Sequence, residues 1–214
     1  MNFGADIKIL IVGNTSTGKT SFVKRYTTGT FLESYKATII SEYKYKIIKI
    51  NDKIYRIHLW DLGGQDKNIY ISKLLLKDCN GIIIFSDINR KNTIDDMLNW
   101  KNFLKEYNNL TFFNEETPII GIYNKCDLIN NNNIEQENFV DNFIDKKYFD
   151  NNFKTSVKEN INVEEPMNYI INKIIELINK KNQFYENAAR ESILINKKNN
   201  NNINETDKKK EKCC

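Results

Sequence analysis

Glycine is scarce in this chain: only 8 of its 214 residues. Two of them nevertheless stand together in WDLGGQDK (60–67), a pairing that needs a reason. Histidine is scarcer still, with His58 alone in KIYRIHLW. It reads as structural, and no Ser-His-Asp or metal-cluster pattern is visible. The four cysteines show neither the spacing of a disulfide framework nor that of a zinc site. Cys79 and Cys126 lie in apolar or motif contexts, so a reducing cytosol is expected. No apolar run approaches a membrane span. The start, MNFGADIKILIVG, carries Asp6 and Lys8 within its apolar stretch, unlike a signal peptide. Asn2 gives no acceptor for N-myristoylation. The formal charge of +4 is a mild excess and predicts no nucleic-acid partner. Asn, Ile and Lys are abundant. The Asn runs at 130–133 and 199–202 therefore read as compositional bias rather than function.

What is present alternates between strand and helix signals. At 40% hydrophobic and 12% aromatic, the chain can build a sizeable core. IKILIV (7–12), GIIIF (81–85) and PIIGIY (118–123) are continuous apolar runs of the kind buried in parallel sheets. EYKYKIIKI (42–50) and KIYRIHLW (53–60) flank Asn51-Asp52, a hairpin-like turn. FKTS (153–156) is a weaker last strand. Residues 93–107 and 163–181 carry helical spacing, the second with Met167, Ile170, Ile171, Ile174, Ile175 and Ile178 on one face. Asn162 with Glu165 predicts a capping pair, and Pro166 falls in the first turn. The expected fold is α/β: a mostly parallel six-stranded sheet flanked by helices, binding its ligand at the carboxyl ends of the strands. The expected domain spans residues 1–188. Residues 189–214, nearly devoid of apolar side chains at their end, predict a disordered tail.

GNTSTGKT (13–20) fits the pattern G-x-x-x-x-G-K-[ST] between a predicted strand and a predicted helix, the context a P-loop NTPase needs. Backbone N–H groups across Gly13, Asn14, Thr15, Ser16, Thr17, Gly18 and on to Ser21 would wrap phosphates at a helix N-terminus. Lys19 would reach the β- and γ-phosphates, and Thr20 would ligate Mg2+. This loop does not choose between ATP and GTP. NKCD (124–127), directly after an apolar strand, resembles the base reader of guanine-nucleotide proteins. That resemblance assigns Asp127 to guanine N1 and the 2-amino group, Asn124 to a brace, and the Lys125 stem to the ring face. Adenine lacks that donor pair, and buried polar groups left unpaired reject the wrong base. TSVK (155–158) then resembles the last guanine element, with Ser156 supporting the loop, the Val157 N–H meeting O6, and Lys158 closing the motif.

In this order and spacing the motifs resemble the Ras-like small GTPases over residues 5 to about 185. YKATI (35–39), TIDDMLNW (93–100), YNKCDL (123–128) and TSVKENINVEE (155–165) are most similar to the Rab family, and to its subgroup on lysosome-related organelles. The resemblance implies further roles. Thr38 would hold Mg2+ and the γ-phosphate. Phe31 would stack on guanine, and Tyr35 would close over the phosphates. Asp61 would hold Mg2+ through water, Gly64 would donate to the γ-phosphate, and Gln65 would orient the attacking water. Lys19, Thr38 and Gln65 form the expected catalytic set.

The paired glycines gain a reason here. Gly64 must approach the γ-phosphate and swing away after hydrolysis. Gly63 stands where Rab proteins usually have Ala, so this segment resembles the Arf family. Ser16 stands for a usual Gly, with Thr15 before it; side chains there crowd the water and predict slow intrinsic turnover. Ile40 and Asn68 also depart from the Rab pattern at positions that face effectors.

KKKEKCC resembles the double-cysteine Rab ending, on which Cys213 and Cys214 receive geranylgeranyl groups. Two chains anchor stably where one does not. Lys208, Lys209, Lys210 and Lys212 would each add about 1 kcal/mol near an anionic surface. The plain alternative is a solvated charge run. The resemblance implies a monomeric switch that binds GTP and GDP with Mg2+. Its implied partners are an exchange factor, an activating protein, a dissociation inhibitor or escort, and effectors. Its implied place is the cytoplasmic face of an endosomal, lysosome-related or Golgi membrane, with a cytosolic pool. Two other readings stay open: a GTP-loaded scaffold that hydrolyses poorly, and an Arf-like GTPase.

Overall fold

A computed structural model describes residues 2–31, 41–63, 75–108, 117–129 and 134–210. Six strands form one sheet: β1 (Asn2–Gly13), β2 (Ser41–Ile50), β3 (Lys53–Leu62), β4 (Gly81–Asp87), β5 (Ile119–Asn124) and β6 (Asn151–Thr155), in the order β2-β3-β1-β4-β5-β6. All neighbours are parallel except β2 with β3. That pair is a hairpin, as the Asn51-Asp52 turn predicts. Both turn residues have positive φ, 46° and 63°, the type I′ geometry whose twist matches the strands.

The described residues form four α-helices: α1 (Lys19–Thr28), α2 (Lys91–Asn108), α3 (Ile134–Asp145) and α4 (Glu164–Lys210). Every residue of β4 and β5 is buried, which is why both read as unbroken apolar runs. Alternation along the strands sorts their side chains between two faces. Leu10, Val12, Ile82, Ile84 and Tyr123 pack with Ile94, Met97, Trp100 and Leu104 of α2 and Val140 and Phe143 of α3. On the other face Phe85 meets Phe22 of α1 edge-on, ring centroids 5.0 Å apart.

Three local expectations change. β1 starts at Asn2 instead of residue 7, because its largely exposed first residues pair with the long hairpin strand β3. Helix α3 carried no recognised signal, although Phe139, Val140, Phe143 and Ile144 hold helical spacing. Asn162 is not a helix cap. It lies at φ 54° and its amide donates to the Lys154 carbonyl at 3.2 Å, and the helix begins only at Glu164. His58 is structural, as expected: its ring lies between the Tyr43 hydroxyl, 2.7 Å away, and Asp6, 2.9 Å away.

The chain divides into two compact units, Met1–Ile174 and Ile175–Cys214. The first contains the sheet and, from α4, the buried Met167, Ile170, Ile171 and Ile174. In the second, backbone is helical to Lys210, and Phe184 and Tyr185 are exposed. An Asn-rich sequence with few apolar side chains makes only a marginal helix in water. Among the described residues no helix is long and apolar enough to cross a membrane.

Candidate active site

The parallel strands deliver their last residues to one edge of the sheet. In register, Gly13 lies beside Phe85, and Asp87, Asn124 and Thr155 stand side by side across β4, β5 and β6. The polar residues that end these three strands are therefore neighbours in space, at the edge where such sheets bind ligands.

The loop 13–18 turns the chain from β1 into α1. Gly13 has φ 136°, and a Cβ there would lie 2.2 Å from the Phe85 carbonyl oxygen, so no other residue fits. Gly18 has φ 97°, and a Cβ there would meet Asn124 Nδ2 at 2.2 Å. Ser16 is exposed in the left-handed region, Thr17 is fully buried, and Thr17 Oγ1 donates to the Asn14 carbonyl at 2.9 Å. No side chain caps α1, so its N-terminal turn, with Ser21, can face an anion.

Lys19 lies inside this loop, only 5% exposed, with Nζ donating to the Gly13 and Asn14 carbonyls at 2.8 Å each. Burial lowers its pKa to about 8; Asp61 opposes that shift and Arg90 adds to it. A buried ammonium in this condition suits a phosphate group, whose charge would restore the protonated form. The Thr20 hydroxyl donates to the fully buried Asp61 carboxylate. Two hard oxygen ligands beside a phosphate-binding loop suit Mg2+, which binds through one or two carboxylates plus phosphate oxygens.

The second half of the site is tied to the first by Asn124, which is 2% exposed. Its Nδ2 donates to the Thr17 carbonyl at 2.8 Å, and its Oδ1 accepts from Thr155 Oγ1 at 3.1 Å and from the Val157 N–H at 3.2 Å. Ser156 Oγ donates to Asp127 Oδ1 and accepts from the Glu159 N–H at 3.1 Å. The carboxylate expected to read the base is thus fixed by the loop expected to read O6. The Val157 N–H already serves Asn124, so an O6 contact would share it. Lys158 is exposed beside Glu159, and Phe31 is half-buried. Gly63 is buried at the end of β3. Tyr35, Thr38, Ile40, Gly64, Gln65, Asn68, Cys213 and Cys214 lie outside the described residues.

Residues 8–176 match the Ras family. The chain is 32% identical to Ras-related protein Rab-32 of Homo sapiens over 169 residues, 78% of this chain and 74% of that protein. It is 32% identical to Ras-related protein Rab-32A of Dictyostelium discoideum over 179 residues, 82% of this chain and 81% of that protein. Against Ras-related protein Rab-7L1 of Homo sapiens it is 33% identical over 170 residues, 78% and 82% of the two chains. The chain belongs to the Ras family, in its Rab branch.

This Rab-branch GTPase contains support that sequence reading missed. Asp87, 4% exposed, accepts from Lys125 Nζ at 2.7 Å, from Arg90 Nε at 3.0 Å and from the Asn89 N–H at 3.0 Å. Burial alone would push its pKa up, but these hydrogen bonds outweigh burial and hold the carboxyl below its ordinary range. Arg90 Nη2 also donates to the Thr15 carbonyl at 2.8 Å. One carboxylate therefore links the base-side lysine to the phosphate loop. From α2, Asp96 accepts from Asn14 Nδ2 at 2.6 Å, and Trp100 Nε1 donates to Asn14 Oδ1 at 3.0 Å. Asp87 meets Asn89 and Arg90 locally, but the pairs Lys125–Asp87, Arg90–Thr15, Asn14–Asp96 and Trp100–Asn14 join residues far apart in the chain and have no local sequence signature. Cys79 is buried, its thiol pushed up to about 11 mainly by burial, so it is an inert core residue.

The depressed Lys19 pKa sets a pH dependence. Without ligand, Lys19 is about half protonated near pH 8, and phosphate binding favours the charged form. GDP binding near pH 8 should therefore take up protons, and affinity should fall as pH rises past that value. Titration calorimetry of nucleotide-free protein, in two buffers of different ionisation enthalpy, should give enthalpies that differ in the sense of proton uptake. Equal enthalpies would contradict the assignment.

Proposed function

We propose that this Rab-branch GTPase is a guanine-nucleotide switch for membrane trafficking. The observation that carries this is the Asn124 side chain. It joins the phosphate loop at Thr17 to the loop beside Asp127, so both halves of a nucleotide site form one rigid cradle. Gly13, Asn14, Thr15, Ser16, Thr17, Gly18, Lys19 and Ser21 bind the phosphates. Asp127 reads guanine, with Lys125 and Phe31 on the ring faces and Ser156, Val157 and Lys158 closing the pocket. Mg2+, held by Thr20, Thr38 and (through water) Asp61, would neutralise charge on the β- and γ-phosphate oxygens. Gln65 positions the attacking water while Lys19 stabilises developing negative charge. Tyr35, Thr38 and Gly64 respond to loss of the γ-phosphate, which changes the surface that effectors bind.

Regulators follow from slow unassisted turnover, about 10⁻⁴ s⁻¹ in related enzymes. An exchange factor would load GTP, an activating protein would speed hydrolysis, and a dissociation inhibitor or escort would hold the lipidated form. The residues 189–214 act as a tether whose Cys213 and Cys214 carry prenyl groups, placing a monomer on the cytoplasmic face of an intracellular membrane. Relatives named as Ras-related Rab proteins and the lysine-rich ending support that placement, on an endosomal, lysosome-related or Golgi membrane. Thr15 and Ser16 favour slow hydrolysis within this reading rather than a protein that never turns over.

Replacing Asp127 by Asn keeps the size of the side chain but removes the acceptor pair for guanine N1 and the 2-amino group. Asp127→Asn should weaken GDP binding by at least about 100-fold in competition with a fluorescent nucleotide. It should leave the protein folded; unchanged GDP affinity would refute Asp127 as base reader. Intact mass of the protein purified from a eukaryotic host should show two prenyl additions, both lost in Cys213→Ser/Cys214→Ser. An unmodified mass would overturn the anchoring proposal.

A further inference from the structure

The last turn of α1 carries Arg25, a residue outside every nucleotide motif. Its guanidinium reaches three backbone carbonyls from two separate segments. Nε donates to Val157 at 3.1 Å and Nη2 to Lys158 at 2.8 Å, both in the loop after β6. Nη1 donates to Gly29 at 3.3 Å, at the end of its own helix. The Gly29 N–H returns a bond to the Arg25 carbonyl at 2.8 Å, closing the helix in a left-handed cap at φ 73°. The guanidinium carbon also lies 5.6 Å from the centre of the Phe31 ring, within cation–π range.

We infer that Arg25 is the positioning residue of the guanine pocket, holding two of its walls, Phe31 and the Val157–Lys158 loop, on one planar cation. This deepens the proposed function and rests on it, because Phe31 and Val157 border the base only in that reading. Arg25 does not touch the nucleotide in this account. Its effect is to fix where the Val157 N–H and the Phe31 ring stand before the base arrives. An unbound pocket whose walls drift apart would have to be ordered by the ligand, at a cost in affinity.

Chemistry explains why arginine is needed. Three carbonyls at different directions require donors fixed in one plane, and a guanidinium offers five. A lysine ammonium keeps the charge but cannot span both segments, so the conservative exchange is not neutral here. Arg25 also places base-side control on the helix that begins with Lys19 and Thr20. Because α1 has only ten residues, phosphate and base contacts sit at the two ends of one short rigid element.

The test uses the full-length protein loaded with fluorescent GDP at saturating Mg2+. Arg25→Lys and Arg25→Gln should release GDP about 10- to 100-fold faster than wild type, the range expected for lost charge-assisted bonds. Single-turnover hydrolysis of GTP that remains bound should stay within about twofold, since the phosphate side is untouched. A merely structural role would lower thermal stability without changing release from the folded protein. In a Phe31→Leu background the Arg25→Lys effect should shrink, because one of its two walls is already gone. Release rates equal to wild type in a folded Arg25→Lys protein would overturn the inference, as would full additivity with Phe31→Leu. If Arg25→Gln does not fold, Arg25→Lys decides. Failure of wild type itself to prefer GDP over ADP would refute the guanine reading, an outcome separate from any failure of Arg25.

Discussion

A single buried carboxamide, that of Asn124, sets the distance between two loops that come from opposite ends of the chain. Its nitrogen holds the Thr17 carbonyl and its oxygen holds Thr155 and Val157. A buried amide left unsatisfied costs about 1–3 kcal/mol per group, so loss of any of the three bonds is penalised. The constraint reaches into sequence choice. Gly18 must lack a Cβ because Asn124 Nδ2 occupies that space, and a left-handed residue there turns the chain into α1. Thr155 must carry a hydroxyl at the end of an otherwise ordinary edge strand. The sheet register that puts Asp87, Asn124 and Thr155 in one row makes these contacts possible.

Electrostatics then completes the site around that fixed frame. The cations Lys19, Arg90 and Lys125 and the carboxylates Asp61 and Asp87 are gathered where the parallel strands end. Asp87 is satisfied within the protein, by Lys125, Arg90 and a backbone N–H. Lys19 is the opposite case: buried, donating to the neutral Gly13 and Asn14 carbonyls, and depressed in pKa. The first arrangement is structural and holds without ligand. The second gains from an anion, which is the physical content of a phosphate-binding loop. The difference also separates roles within one cluster of charges, since Asp87 positions Lys125 and Thr15 while Lys19 meets the ligand.

The sequence reading reached the sheet because buried parallel strands are written as apolar runs, and β4 and β5 are buried at every position. It reached the loop 13–20 and the elements at 124–127 and 155–158 because their chemistry is local and contiguous. It missed what is not contiguous. Arg25 acts on residues 157 and 158, Arg90 on Thr15, and Trp100 on Asn14; no spacing along the chain announces such contacts. The start of β1 escaped because its first residues form no apolar run and are held by pairing with β3 rather than by burial. The proposed cap at Asn162 failed for a related reason. Asn is equally suited to a left-handed turn, and tertiary contact with Lys154 selected that use. Helix α3 was hidden by the Asn-rich composition around it, although its apolar spacing was present.

The central claim is that this cradle serves a timed switch rather than a permanent clamp. Single-turnover hydrolysis of bound GTP, in wild type beside Gln65→Leu, tests it most directly, with nucleotide content measured by chromatography in the same samples. The account predicts slow conversion to GDP in wild type and at least about tenfold slower conversion in the mutant, as loss of water positioning requires. Equal retention of GTP by both proteins, with no turnover in either even when an activating protein is supplied, would contradict it.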